Sequence, residues 1–169
     1  LSPMIAYAPI TDEAVAESDT TFPESFDMRK VYSISSVKDQ KSNGTCWAHA
    51  AIVSAESSIL ASKPDIDLSE LHTSYYSYYG DDQTPTDKFT TEGVLSHGGS
   101  PKIVTNLWSQ WIGPVLESRM PYEDTSVFEN ASQTVFMKYQ SDYHMKNAYS
   151  FDYNEDRSNF ESVKAMVKD

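Results

Sequence analysis

The apolar positions of this chain change their spacing along its length. From Cys46 to about Leu60, Trp47, Ala50, Ala51, Val53 and Ala55 recur at helical intervals, which predicts a helix buried over much of its surface. Ser42-Asn43-Gly44, just before it, reads as a turn. Asp67-Leu68-Ser69-Glu70 has capping-box spacing and opens a second helix that Gly80 ends. The tyrosines of that helix, Tyr75, Tyr76, Tyr78 and Tyr79, read as packing and hydrogen-bonding groups. A third helix starts with Ser100 as N-cap and Pro101 in its first turn. Ile103, Val104, Leu107, Trp108 and Trp111 form its apolar stripe, and Gly113-Pro114 stops it. From about Tyr139 to Tyr153 the pattern turns aromatic and alternating, the period of one or two strands. Ser158-Asn159-Phe160-Glu161 is a further capping box, opening a final helix through Val163 and Val167. Helices first and strands later give an α+β class, with no internal repeat and no low-complexity tract.

Size and charge narrow the function classes. A chain of 169 residues holds one domain, or one domain and part of a second. A formal net charge of −12 and a pI near 4.6 argue against nucleic acid or an anionic membrane as partner, since both need clustered Lys and Arg. They favour a secreted or cell-surface protein. No apolar run approaches the length of a membrane span.

The chemistry concentrates at the chain's one cysteine. Cys46 cannot form an internal disulfide, so it is an inert buried thiol, a ligand or a nucleophile. Its place argues for the nucleophile. It stands where the Ser42-Asn43-Gly44 turn gives way to the helix. There several backbone N–H groups are unpaired and the helix dipole is positive, the kind of setting in which cysteines react. Gln40, six residues earlier, can fold back to offer a side-chain N–H beside the Cys46 amide, two donors for a developing oxyanion. Other motifs carry less. Asp152-Tyr153-Asn154-Glu155-Asp156 opens like a calcium loop, but Arg157 and Val163 stand where glycine and glutamate are needed, so the acids read as a solvated turn. No metal or other cofactor is expected. Asn43-Gly44-Thr45 and Asn130-Ala131-Ser132 fit the glycosylation sequon, but the first would set a sugar beside the thiol.

The segment from Gln40 to Ala50 resembles the active-site segment of papain-like cysteine proteases. The likeness continues in order through Phe22-Pro23-Glu24-Ser25-Phe26-Asp27-Met28-Arg29, Val37-Lys38-Asp39-Gln40, Leu68-Ser69-Glu70, His97-Gly98-Gly99-Ser100-Pro101 and Met120-Pro121-Tyr122-Glu123-Asp124. Asn43-Gly44-Thr45-Cys46-Trp47 departs from the family's local signature in lacking its first cysteine. Ser96, where the usual disulfide partner falls, is not a cysteine either. The missing disulfide and Gly113-Pro114-Val115-Leu116-Glu117-Ser118 resemble bacterial surface members, such as those of clostridia.

The resemblance implies a papain-like fold. Residues 1–21 would be a propeptide tail or linker, 22–138 the helical left domain, and 139–169 the start of an incomplete β-rich right domain. It implies a cysteine endopeptidase acting on peptide or protein substrates, with Cys46 as nucleophile and Gln40 in the oxyanion hole. Gly98, Gly99, Ser100 and Pro101 would line the substrate cleft. Gly44 and Trp47 flank the nucleophile at that cleft, Trp47 packing toward the interdomain junction. The family's histidine and asparagine follow the cysteine by roughly 130–150 residues, past Asp169. They are therefore expected from a C-terminal segment or a second chain, and this chain alone is expected to turn over little. His144 comes too early and reads as a surface or strand residue. His49 falls at a position of buried aromatics and reads as a packed core residue. His72 carries no partner pattern, and His97 is a loop residue beside the glycine pair. The chain's own propeptide is a further possible partner. The alternative is a catalytically inactive module that holds a peptide or partner in the same cleft.

Overall fold

The computed structural model describes residues 22–78, 95–126, 131–149, 160, 163 and 164. Among the helices there are α1, Cys46–Ile59; α2, Glu70–Tyr76; α3, Pro101–Ser109; and α4, Ala131–Lys138. Short 3-10 turns form at Met28–Lys30 and Glu117–Arg119. The chain divides into two compact units, one of residues 34–146 and one drawn from residues 1–33 and 147–169. In the described part of the latter, Asp27 caps the first 3-10 turn by accepting from the Arg29 amide at 3.1 Å. Also there, the Lys164 ammonium lies over the rings of Phe22 and Phe160.

Helix α1 follows the expected span, but its buried line is narrower. Trp47, Ala48, Ile52 and Glu56 are buried, whereas Ala50 is exposed and Ala51, Val53 and Ala55 are half-buried. The four-residue step from Ala48 to Ile52 to Glu56 places one edge against the core, and it ends on a carboxylate with no exposed surface. That carboxylate accepts the Leu68 amide at 2.7 Å and pairs with Lys38 at 2.8 Å. Lys38 also meets Asp67 at 2.7 Å and Glu70 at 2.9 Å. Burial works against the Lys38 charge, but the three carboxylates outweigh it and hold its pKa above the ordinary lysine range. Asp67 thus belongs to this ion cluster. The cap of α2 is Ser69, whose hydroxyl accepts the His72 amide at 3.0 Å and donates to the Met120 carbonyl at 2.6 Å.

All seven residues of α2 are buried, including Glu70, His72, Thr73 and Ser74. Burying so many polar groups is tolerable only where most are hydrogen-bonded. Ser74 donates back to the Glu70 carbonyl at 2.7 Å, Tyr76 to the Thr134 carbonyl at 2.6 Å, and His72 Nε2 to the Met137 carbonyl at 3.0 Å. The last two partners lie on α4, an element that the sequence pattern does not predict. A carbonyl only accepts, so His72 carries its proton on Nε2. Burial pushes its pKa down to about 4. The helix ends at Tyr76, and Tyr79 and Gly80 lie outside the described residues.

Helix α3 starts at Pro101 as expected. Ser100 occupies the N-cap in extended conformation, without a side-chain cap bond. Val104, Leu107 and Trp108 are buried. Trp111 corrects the expected stripe. The helix ends at Ser109, Trp111 turns to φ 70°, and its ring stands 61% exposed. It stacks on the exposed His144 at 4.1 Å between ring centroids and 15° between planes. The chain then returns through Ile112 and Val115 into the core shared with Leu68, Leu71, Tyr75, Met120 and Met137. Gly113 is needed there, because a Cβ would lie 1.8 Å from the Tyr143 carbonyl oxygen.

The strand expected over 139–153 is not present as far as residue 149, and the remainder lies outside the described residues. The alternation survives in burial: Tyr143 and Met145 are half-buried and pack on the core, while His144 and Lys146 are exposed. No ladder accompanies it, because the Asp142 and Tyr143 amides converge on the single Pro114 carbonyl at 3.1 and 3.3 Å, and the other hydrogen bonds to the neighbouring segment run through side chains. Gly113 donates its amide to Ser141 Oγ and Leu116 its amide to Asp142 Oδ2, both at 2.9 Å. Asp142 also pairs with Arg119 at 2.7 Å. Alternation selects which residues face inward, but a ladder needs two backbones in register. Among the described residues the one β-bridge joins Leu68 to Leu116. The calcium-like acidic run and Asn130 lie outside the described residues, and of the final helix Phe160, Val163 and Lys164 are helical. Among the described residues no helix is long and apolar enough to cross a membrane.

Candidate active site

The turn before α1 closes on itself. Lys41 takes φ 56° while its amide is held by Asp39 Oδ1 at 2.8 Å. The Asn43 amide donates to the Gln40 carbonyl at 3.2 Å. In return the Gln40 side chain donates through Nε2 to the Asn43 carbonyl at 2.7 Å. A primary amide carries two hydrogens, so this bond leaves Gln40 a second donor. Next, Gly44 brings in the segment that carries the glycine pair. Its amide donates to the Leu95 carbonyl at 2.7 Å, and a Cβ on it would sit 2.7 Å from the Ser96 carbonyl oxygen. Only glycine permits two backbones to approach this closely.

Cys46 is the first residue of α1, a free thiol and exposed. The first amides of a helix have no partner within it. Thr45, at the N-cap, does not supply one from its side chain. Its hydroxyl turns inward to the Tyr122 hydroxyl at 2.5 Å. Trp47 is buried, and its indole N–H is shared between the Gly44 carbonyl at 3.1 Å and the His97 carbonyl at 3.4 Å. The indole lies directly under Gly99, where a Cβ would come within 2.4 Å of the ring. Tyr78 sets its edge against the Trp47 ring at 5.8 Å and donates its hydroxyl to the Gly98 carbonyl. Gly98 itself faces open space. Gly98, Gly99 and Pro101 are exposed and Ser100 is half-buried.

Gln40, Gly44, Trp47, Gly98 and Gly99 are therefore linked through one set of contacts that runs by way of Asn43 and Tyr78, with Ser100 and Pro101 following in the chain, while Cys46 stands exposed between Thr45 and Trp47. The other histidines stand elsewhere or are committed. His49 is half-buried, edge-on to Tyr122 at 4.9 Å, and its Nδ1 donates to the Thr45 carbonyl at 3.0 Å. His97 is exposed, with its ring against Tyr78. His72 is in the core, and His144 lies under Trp111. Among the described residues no three His, Cys, Asp or Glu side chains gather as a metal cluster.

A family model described as papain family cysteine protease matches residues 22–168. The chain belongs to the papain family. A comparison with curated proteins found no match. Relative to the papain-family signature, Asn43 stands in the place of the absent cysteine, and its Nδ2 donates to the Tyr122 hydroxyl at 3.1 Å. Tyr122, Thr45, Lys38 and Glu117 are the residues that sequence reasoning did not single out. Tyr122 was visible only as part of the Met120–Asp124 block, and its contacts reach residues about 80 positions away in sequence. Glu117 accepts the Tyr122 amide at 2.6 Å, and burial raises its carboxyl to about 7.

Proposed function

We propose that this papain-family chain carries the nucleophile side of a cysteine endopeptidase. The observation that carries the reading is an exposed thiol at the first residue of α1, directly after a turn closed by Gln40. Cys46 sulfur attacks the carbonyl carbon of a peptide bond. The carbonyl electrons move onto oxygen, where the Cys46 amide and the second Gln40 N–H stabilise them. Collapse expels the amine and leaves an acyl-enzyme, which water hydrolyses. An extended substrate pairs its backbone with Gly99, while Ser100 and Pro101 border the pocket for the residue two before the scissile bond. The histidine that takes and returns the proton, and the asparagine that orients it, come from a β-rich right domain or a second chain. The substrate is a protein or peptide met outside the cell.

Intact-mass spectrometry after exposure to an epoxysuccinyl inhibitor tests this reading. One adduct, lost in Cys46→Ala, is expected, together with loss of peptidase activity and retention of the fold in that variant. Turnover that survives Cys46→Ala refutes the reading. An unlabelled, inactive protein that still binds peptides at the Gly98-Gly99 segment favours the binding module instead.

A further inference from the structure

We infer that the Tyr122 hydroxyl is the positioning group of the nucleophile turn, taking the place of a covalent cross-link. This rests on the peptidase reading of Cys46 and Gln40. Tyr122 is buried, and its oxygen meets three groups: the Gln40 carbonyl at 3.0 Å, Asn43 Nδ2 at 3.1 Å and Thr45 Oγ1 at 2.5 Å. Proton accounting fixes their roles. The Gln40 carbonyl only accepts, so it takes the one tyrosine proton. Asn43 Nδ2 only donates, and Thr45, left with no other proton on the tyrosine to accept, donates its own. The phenol oxygen is thereby saturated, with one bond given and two received.

These partners span the turn from the oxyanion donor to the residue before the nucleophile. Asn43, the position where the family signature has its first cysteine, is one of them. Tyr122 is itself held from two sides. Its amide donates to Glu117, and its ring meets the edge of His49, whose Nδ1 binds the Thr45 carbonyl. Both polar ends of Thr45, hydroxyl and carbonyl, are therefore fixed by this group, and with them the direction in which the chain enters Cys46. Tyr122 does not touch substrate; it acts through Gln40 and Cys46.

The test compares the full protein with its Tyr122→Phe, Thr45→Val and Cys46→Ala variants by steady-state kinetics on a fluorogenic peptide and by amide hydrogen exchange. Tyr122→Phe keeps the ring and removes the hub. Losing about one net hydrogen bond of positioning lowers kcat roughly tenfold, with KM unchanged within about twofold. Exchange at the Asn43 and Gly44 amides quickens by a similar factor, while amides of α3 hold. Thr45→Val serves if Tyr122→Phe does not fold. It is isosteric, costs no helix cap because the Thr45 hydroxyl does not cap α1, and is expected to lower kcat about threefold to tenfold. Wild-type kcat and wild-type exchange in either folded variant overturn the inference. Turnover retained by Cys46→Ala overturns the peptidase reading instead, and the exchange rates then decide the tether alone.

Discussion

Glu117→Gln should make this protein's stability depend on pH in a way that the parent conceals. Glu117 is half-buried, it accepts the Tyr122 amide through Oε1, and its other oxygen has no partner. Burial, with Glu70 and Asp67 nearby, raises its carboxyl from an ordinary 4.5 to about 7. Between those values the unfolded chain has released a proton that the folded chain keeps. The folded state therefore loses ground as pH rises, and the loss is complete above the folded value. At 1.36 kcal/mol per pKa unit the ceiling is about 3 kcal/mol, and partial exposure reduces it to about 1–2. His72 does the reverse. Its pKa falls from 6.5 to about 4, so the unfolded ring binds a proton that the folded ring refuses, and stability is lost as pH falls through that window. Across the overlap the two slopes oppose each other and the parent's profile is levelled. Glutamine keeps the acceptor for Tyr122 and removes the titration. Urea unfolding followed by tryptophan fluorescence, at several values from about pH 4.5 to about pH 8, gives the difference between variant and parent. The variant should gain about 1–2 kcal/mol relative to the parent toward the alkaline end. A difference that stays constant with pH, or grows toward acid, refutes the reasoning.

Three further outcomes test the packing. Lys38→Met should destabilise the fold by about 3–5 kcal/mol in chemical denaturation, because it strands the fully buried Glu56 and the nearly buried Glu70 without their cation. Gly113→Ala should cost about 1–3 kcal/mol by the same assay, since its Cβ meets the Tyr143 backbone. Gly98→Ala, with open space around its Cβ, should change stability by less than about 0.5 kcal/mol.

What could be read in the sequence was local. The turn at Ser42-Asn43-Gly44, the start of α1 at Cys46 and the start of α3 at Pro101 depend on neighbouring residues, and they fall where their residue types require. Gly44 read as part of a turn and Gly113 as a helix stop, whereas the close backbone approaches that each admits involve Ser96 and Tyr143, distant in sequence. What stayed hidden depends on distant partners. Glu56 looks like the polar face of α1, and only Lys38 and the Leu68 amide make it a buried residue. His72 and Ser74 read as ordinary polar positions, although α2 is buried on every side. Trp111 fits the α3 stripe by spacing, but the helix ends two residues before it. The alternation at Tyr143 and Met145 correctly marks the inward side, yet spacing alone carries no information about whether a second strand lies in register.

The absence of a second thiol near Cys46 changes how this site meets reductants. A papain-type nucleophile must be kept reduced to act, and where a disulfide braces the same turn, the reductant that activates the thiol also attacks the brace. Here Asn43, Thr45 and Gln40 are braced by a phenol, and within these 169 residues Cys46 has no other sulfur with which to pair. Reductant can therefore be raised without loosening the turn. Among these residues Cys46 oxidation has no second cysteine to pair with, so it leads to a sulfenic acid or to a bond with a thiol from outside them.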